Sequence, residues 1–227
     1  VEDEKITDII VAISGAMEGS TFQTLLDVQH LGVEIIRMPV AYEELLGRVP
    51  INILEADWLL RSFIDQFRVN RFYRATKRFL DILGGLVGVI LLGLLLPFVG
   101  TATLLDSGRP ILYSQVRLGK GGQPFKIIKF RTMRQDAEEA GKPILAREDD
   151  DRATKIGNLL RKTHLDEVPQ FVNVLRGEMS LVGPRSERPG FVKNYLKQIP
   201  FYRARLLVKP GITGWAQVNY GYAGNLE

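Results

Sequence analysis

"ILGGLVGVILLGLLLPFVGTATLL", Ile82 to Leu105, runs for 24 residues without a charged side chain. About 20 such residues suffice for a helix to cross the hydrocarbon core of a bilayer. Helices buried in soluble cores rarely run so long without a polar residue, so the stretch is read as a membrane segment and a core helix is the plainer alternative. Pro97 falls in its second half, where proline removes a backbone donor and kinks or breaks a helix. Both flanks are basic, with "RFYRATKR" (Arg71–Arg78) before the run and Arg109, Arg117, Lys120, Lys126 and Lys129 after it. Lys and Arg favour the cytoplasmic side, so a segment basic at both ends is best satisfied by entering and leaving through one face. The expectation is a re-entrant helix bent at Pro97, with protein or water meeting the carbonyl that proline leaves free.

The segment divides the chain. Upstream, "DIIVAI" (Asp8–Ile13) is a short apolar run fit for a strand, and "STFQTLLDVQHLG" (Ser20–Gly32) has a hydroxyl cap, helical spacing and a glycine stop. "VEIIRM" (Val33–Met38) reads as a second strand and "YEELLG" (Tyr42–Gly47) as a short helix. This βαβα order is the pattern of a parallel sheet and predicts a partial Rossmann-like unit over residues 1–66. The turn "SGAMEGS" (Ser14–Ser20) lacks the G-x-G-x-x-G spacing, and no acid follows the second strand at the right distance, so dinucleotide binding is not expected. His30 lies near a helix C-terminus, where a cation suits the dipole, and is given no chemistry.

Composition narrows the chemistry. In 227 residues, 45% hydrophobic and 25% charged, there is ample material for a core. The absence of cysteine excludes disulfides, thiolate catalysis and Cys-rich zinc sites. A net charge of +4 is compatible with phosphates, lipid head groups or nucleic acid as partners. The chain begins at Val1, and it is read as a fragment of a longer protein.

Downstream, "PILYSQVRLG" and "QPFKIIKFRTM", joined by "KGG", predict a β-hairpin. Lys126, Lys129 and Arg131 alternate with apolar residues and are taken as one basic face, fit to hold phosphates or simply to meet water. "RATKIGNLLRKT" predicts an amphipathic helix ending in Arg161 and Lys162, and "LDEVPQFVNVLRGE" a second helix with Pro169 in its first turn. Within "THLDEVPQ" (Thr163–Gln170) a Thr precedes an acid by three residues, the signature of an ordinary capping box. Asp166 and Glu167 therefore sit at a helix start close to cations, and one residue of α-helix turns them roughly 100° apart.

Four stretches taken together carry a resemblance: "KRFLDILGGLVGVILLGLLLPF", "GRPILYSQVRLGKGGQPFKIIKFRTM", "RKTHLDEVPQFVNVLRGEMSLVGPR" and "KPGITGWAQVN", in that order from Lys77 to Asn219. They resemble the bacterial sugar transferases, the monotopic phosphoglycosyl transferases that make polyprenyl-diphosphate sugars. The upstream unit resembles the cytoplasmic domain of larger members. The resemblance implies an α+β membrane-associated catalytic domain with a re-entrant helix, preceded by the partial α/β Rossmann-like unit. Its divisions would be 1–66 for that unit, 67–81 for a basic linker and interfacial helix, 82–105 for the re-entrant helix, and 106–227 for a catalytic domain incomplete at its C-terminus.

It further implies transfer of a hexose 1-phosphate from a UDP-sugar to polyprenyl phosphate, initiating exopolysaccharide, capsule or O-antigen synthesis. The active site would lie on the cytoplasmic face of the bacterial inner membrane. Asp166 would be the nucleophile, forming a covalent phosphosugar, and would help hold Mg²⁺; Glu167 would assist. Lys129, Arg131, Arg161 and Arg185, with Pro184 beside the last, would bind substrate phosphates. A carboxylate suits the nucleophilic role because it is ionised at neutral pH without a base. Where family members commonly have Pro after that Arg, this chain has Ser186, and where they often have Ser before the helix-breaking Pro, it has Leu96. His164 is taken as a surface neighbour of the site. The partners expected are the nucleotide sugar, the polyprenyl phosphate and the bilayer, and the upstream unit could support a homodimer. A non-catalytic membrane scaffold for glycan-assembly enzymes is the alternative. Nucleic-acid binding is not expected, because acids lie among the cations and the membrane segment suits lipid phosphate chemistry.

Overall fold

The computed structural model describes residues 6–13, 17–48, 71–134, 137, 150–199 and 201–220. Part of the turn "SGAMEGS", residues 49–66 of the upstream unit and residues 67–70 of the linker lie outside these. The chain forms two compact units, Val1–Val69 and Asn70–Glu227.

In the first unit, strand β1 (Asp8–Val11) and strand β2 (Glu34–Arg37) pair in parallel, with Asp8 opposite Glu34. Helix α1 (Gly19–His30) makes the crossover and helix α2 (Met38–Leu46) follows. Helix α1 starts at Glu18 with no side-chain cap, in place of the hydroxyl cap expected at Ser20 or Thr21. Helix α2 starts earlier than "YEELLG" suggests because Pro39 suits a first turn, and it ends at Gly47, whose φ of 61° is left-handed. A βαβα order is present. Its sheet holds two strands among the described residues, which establishes the parallel pairing and not a Rossmann-like fold.

The second unit opens with helix α3, Arg71–Ser107, continuous over 37 residues and about 55 Å at 1.5 Å per residue. The described part of the expected linker and the apolar run are thus one helix, and Pro97 does not end it. The carbonyl of Pro97 accepts from Thr101 Oγ1 at 2.6 Å. Asp81, Gly85, Gly88, Val99 and Thr103 are buried, while Leu83, Val87, Ile90, Leu94 and Phe98 are exposed. That spacing puts one stripe of the helix on protein between Asp81 and Thr103 and leaves the opposite stripe apolar and bare.

After α3 come strands β3 (Leu112–Leu118) and β4 (Pro124–Phe130), an antiparallel hairpin turning through Gly121 and Gly122, both at positive φ. Helix α4 (Lys155–Lys162) is capped by Thr154, whose hydroxyl accepts from the Gly157 amide at 3.0 Å. A 3₁₀ helix, Leu165–Gln170, leads into helix α5 (Phe171–Arg176). Strand β5 (Ser180–Val182) pairs in parallel with β6 (Gly211–Thr213); helix α6 (Pro189–Gln198) lies between them in sequence and α7 (Trp215–Tyr220) follows.

Side chains of opposite kinds join these pieces. Val99, Phe130 and Leu160 make one apolar cluster, and Phe125, Ile127, Val174 and Met179 another. Gly88 meets the Phe171 ring so closely that a Cβ there would fall 2.0 Å from it, which lets α3 and α5 touch. Arg78 donates to the last carbonyls of α5, Val174 O at 2.8 Å and Leu175 O at 2.7 Å. The wholly buried Asn173 accepts from the Ile128 amide at 3.1 Å and donates to Lys126 O at 2.8 Å, tying α5 to β4.

The single basic face expected on the second strand is not formed. Residues three apart in a strand point to opposite sides. Lys129 shares the inward side with Phe125 and Ile127, Lys126 is exposed on the other, and Arg131 lies beyond the strand end.

Candidate active site

The 3₁₀ helix packs against β4, and its geometry sorts the acidic pair. Three residues per turn eclipse Glu167 with Gln170 and set Asp166 about 120° around, where an α-helix would have given about 100°. The capping box is not made. Thr163 Oγ1 donates back to Leu159 O at 2.8 Å and to Leu160 O at 3.2 Å, closing α4, and no side chain caps the 3₁₀ helix. His164, exposed and left-handed at φ 56°, turns the chain between the two helices. Pro169 belongs to the 3₁₀ turn ahead of α5 and not to the first turn of an α-helix.

Asp166 and Glu167 are both buried, yet their surroundings differ. Glu167 Oε1 lies 2.6 Å from Lys129 Nζ and 3.5 Å from Arg185 Nη2. Burial alone would raise its pKa, but the charges of Lys129 and Arg185 outweigh burial and hold the carboxyl below its ordinary value. No side chain or backbone donor among the described residues reaches the Asp166 carboxylate. Burial pushes its pKa above the ordinary value, the attraction of Lys129 only partly countering this and the Glu167 charge adding to it. Neighbouring carboxylates driven apart in this way are the pattern of a site with divided roles.

Lys129, Glu167 and Arg185 line one cleft together with Arg117, Gln170 and Ile212. Pro184 borders the adjoining cleft, beside Tyr202 and Arg205. Arg205 donates to Arg185 O at 2.8 Å and to Tyr202 Oη at 3.0 Å, steadying the loop that carries Arg185. Burial pushes the Tyr202 phenol up to about 12, so it stays neutral. Arg131 turns elsewhere, its guanidinium 3.4 Å from Arg109 O. Arg161, at the end of α4, acts on Asp166 through its charge. Of the cations expected on phosphates, Lys129 and Arg185 meet at the dyad and Arg131 does not. Arg117 entered the sequence reading only as a flanking charge, and Gln170 and Arg205 did not enter it. The i+3 relation of Gln170 to Glu167 is visible in sequence, but its meaning depends on the helix being 3₁₀.

Among the described residues no group of three His, Asp or Glu side chains could cage a metal ion.

Residues 72–227 match the profile of the bacterial sugar transferases. The chain belongs to this family. It is 40% identical over 185 residues to a UDP-N-acetylgalactosamine-undecaprenyl-phosphate N-acetylgalactosaminephosphotransferase of Aeromonas hydrophila, covering 82% of this chain and 42% of that protein. It is 43% identical over 137 residues to a putative undecaprenyl-phosphate N-acetylgalactosaminyl 1-phosphate transferase of Bacillus subtilis, covering 59% and 74%. With the UDP-glucose:undecaprenyl-phosphate glucose-1-phosphate transferase of Escherichia coli the figures are 43% over 155 residues, 68% and 33%. The chain thus spans less than half the length of the first and third of these relatives.

Proposed function

We propose that this protein transfers a hexose 1-phosphate from a UDP-sugar to undecaprenyl or a related polyprenyl phosphate, through a covalent phosphosugar on Asp166. The observation that carries the reading is the divided dyad: a buried carboxylate that no hydrogen-bond donor among the described residues reaches, beside one clamped by Lys129 and Arg185. The names of the relatives support the substrate classes.

In the first step an Asp166 oxygen attacks the phosphorus that bears the sugar, the bond from that phosphorus to the bridging oxygen breaks, and UMP leaves with the electron pair. In the second, an oxygen of polyprenyl phosphate attacks the same phosphorus and Asp166 departs as a carboxylate. Neither step needs a general base, because both nucleophiles are anions. Dividing the transfer spares the two phosphate substrates a direct encounter. Lys129 and Arg185 balance charge as it moves, and Glu167 keeps both cations aimed into the cleft.

The residues present fit Mg²⁺ of the substrate-assembled kind, which uses one or two carboxylates, phosphate oxygens and water. Asp166 accepts no hydrogen bond among the described residues and could serve, whereas Glu167 is engaged by its cations. Bound there with the diphosphate, the ion would neutralise charge on the leaving nucleotide.

Re-entry of α3 from the cytoplasmic face of the inner membrane is part of the same reading. Asp81 accepts from Ser180 Oγ and the Leu181 amide, both at 3.0 Å, and Asp106 accepts from the Ile156 amide at 3.0 Å. Both sides of the apolar run are thereby attached to one folded unit, whereas a crossing helix would deliver them to opposite aqueous phases. The bare stripe of Val87, Ile90, Leu94 and Phe98 is the surface left for lipid.

The test incubates membranes containing the full-length protein with Mg²⁺, polyprenyl phosphate and a panel of nucleotide sugars. UMP release with one sugar, abolished by EDTA and restored by Mg²⁺, is the expected result. Without acceptor, mass spectrometry should find a hexose phosphate on the Asp166 peptide. UMP release absent with every UDP-sugar would refute the activity, and release without any adduct would refute the covalent route.

A further inference from the structure

The inner wall of the cleft holds a carboxamide whose donor has no partner among the described residues. Gln170 is 2% exposed, and its Nε2 is buried with no hydrogen bond. It stands one 3₁₀ turn after Glu167, on the same side, and lines the cleft with Lys129 and Arg185. Arg117 lines that cleft too. Its Nη1 donates to Ser186 O at 3.0 Å and faces Glu187 Oε2 at 3.7 Å, but its Nε is buried and unmet. Buried donors in folded proteins are almost always satisfied, so two unmet ones in a single cleft call for an acceptor from outside the chain. Both unmet atoms are donors, which suits a group rich in acceptors. Oxygens of an ionised phosphate carry no hydrogen, and Lys129 and Arg185 supply the field that draws such an anion in.

We propose that Gln170 and Arg117 are a substrate-binding pair whose Nε2 and Nε donate to the oxygens of one phosphate group held in the cleft. The proposal rests on the function proposed above and adds two binding residues to it. Gln170 contributes no charge. Its effect is directional, fixing where the phosphate oxygens lie relative to Asp166, while the cations supply the attraction. The phosphate could belong to the nucleotide sugar or to the polyprenyl acceptor, and kinetics separate these sources.

The variants are Gln170→Met, which keeps the length and loses the donor, and Arg117→Lys, which keeps the charge and loses Nε–H. In full-length protein, the KM for nucleotide sugar is read from the concentration dependence of the single-turnover UMP burst without acceptor, and the KM for polyprenyl phosphate from full turnover at saturating nucleotide sugar. A rise of about 10- to 100-fold in the first identifies the donor phosphate, and the same rise in the second identifies the acceptor phosphate, as expected for hydrogen bonds to a charged group. Either outcome supports the pair. Both KM values within twofold of the parent, with an unchanged or higher melting temperature, would overturn it and leave Gln170 as a structural group met by water. Should Gln170→Met fail to fold, Gln170→Asn withdraws the donor by one methylene while keeping the amide, and is read in the same way. Calorimetric titration with inorganic pyrophosphate gives a readout independent of turnover. At least tenfold weaker binding in Arg117→Lys and Gln170→Asn upholds the pair even if no UDP-sugar is a substrate, and equal binding overturns it even if one is.

Discussion

Asp81, on the long helix, and Asp166, on the 3₁₀ helix, are buried in the same unit at 3% and 7% exposure, in opposite surroundings. Asp81 Oδ1 gathers Lys77 Nζ at 2.5 Å, Ser180 Oγ at 3.0 Å and the Leu181 amide at 3.0 Å. Asp166 gathers no donor among the described residues. A buried charge costs folding free energy unless donors compensate it. At Asp81 that compensation makes the carboxylate a joint between α3 and β5. At Asp166 it is withheld among the described residues, which is what the proposed roles of nucleophile and cation ligand require. Burial alone therefore does not tell the two aspartates apart; their hydrogen-bond partners do.

The largest expected effect breaks this contrast at the reactive end. Asp166→Asn should lower turnover by about 10⁴-fold or more, since an amide is a poor nucleophile toward phosphorus, and should not lower the melting temperature. Glu167→Gln should also lose most turnover but still accumulate labelled adduct without acceptor, because its neighbour keeps the nucleophile. Full activity in folded Asp166→Asn would remove the distinction between the two aspartates.

At the structural end the effect is smaller and of another kind. Asp81→Asn should cost about 1 to 3 kcal/mol of stability through weakened charged hydrogen bonds, read as a lower melting temperature in detergent, while turnover per folded molecule stays near the parent's. A large loss of turnover at unchanged stability would make Asp81 part of the chemistry.

The smallest effect sharpens the comparison within the dyad through pH. The Glu167 pKa is depressed below 4.5 on folding, so its ion pairs stabilise the protein above that value and the contribution is lost as pH falls through the folded pKa. Glu167→Gln should therefore melt below the parent at pH 7, with the gap closing under pH 4.5. The Asp166 pKa is raised above 3.8, so its ionisation costs stability as pH rises through the interval between unfolded and folded values. Asp166→Asn should melt above the parent at pH 7, with that gap closing as pH falls through the raised folded pKa and gone by pH 3.8. Melting temperatures from pH 3 to 7 measure both, and gaps of the same sign would contradict the opposed environments.

Much of this was legible from one-dimensional patterns because those patterns answer to local rules. The hairpin from Leu112 to Phe130 follows from β-rich runs around a turn that needs positive φ at Gly121 and Gly122. The parallel β1 and β2 follow from apolar runs separated by a helical repeat. Errors arose where one local rule was applied without its competitor. Thr163 looked like a cap but closes the helix before it. Lys126 was grouped with Lys129 across an odd number of residues, and the pleat separates them. Of the two outcomes expected at Pro97, the break is not formed, since the helix continues for ten residues beyond it.

By itself the sequence determined the uncharged stretch of 24 residues, the motifs that identify the family, and the adjacency of Asp166 and Glu167. These depend only on which residues follow one another. Tertiary structure alone decided which acid is clamped and which is left without a donor among the described residues. The 3₁₀ winding turns Glu167 and Gln170 to one side, and strand β4 and the loop after β5 bring Lys129 and Arg185 to that side from 38 residues before and 18 after. It also decided that one stripe of α3 faces protein and the other does not, since that needs α4, α5 and β5 packed along the helix. Charge pairing and burial act over a few ångströms in space, and separation along the chain carries no measure of that distance.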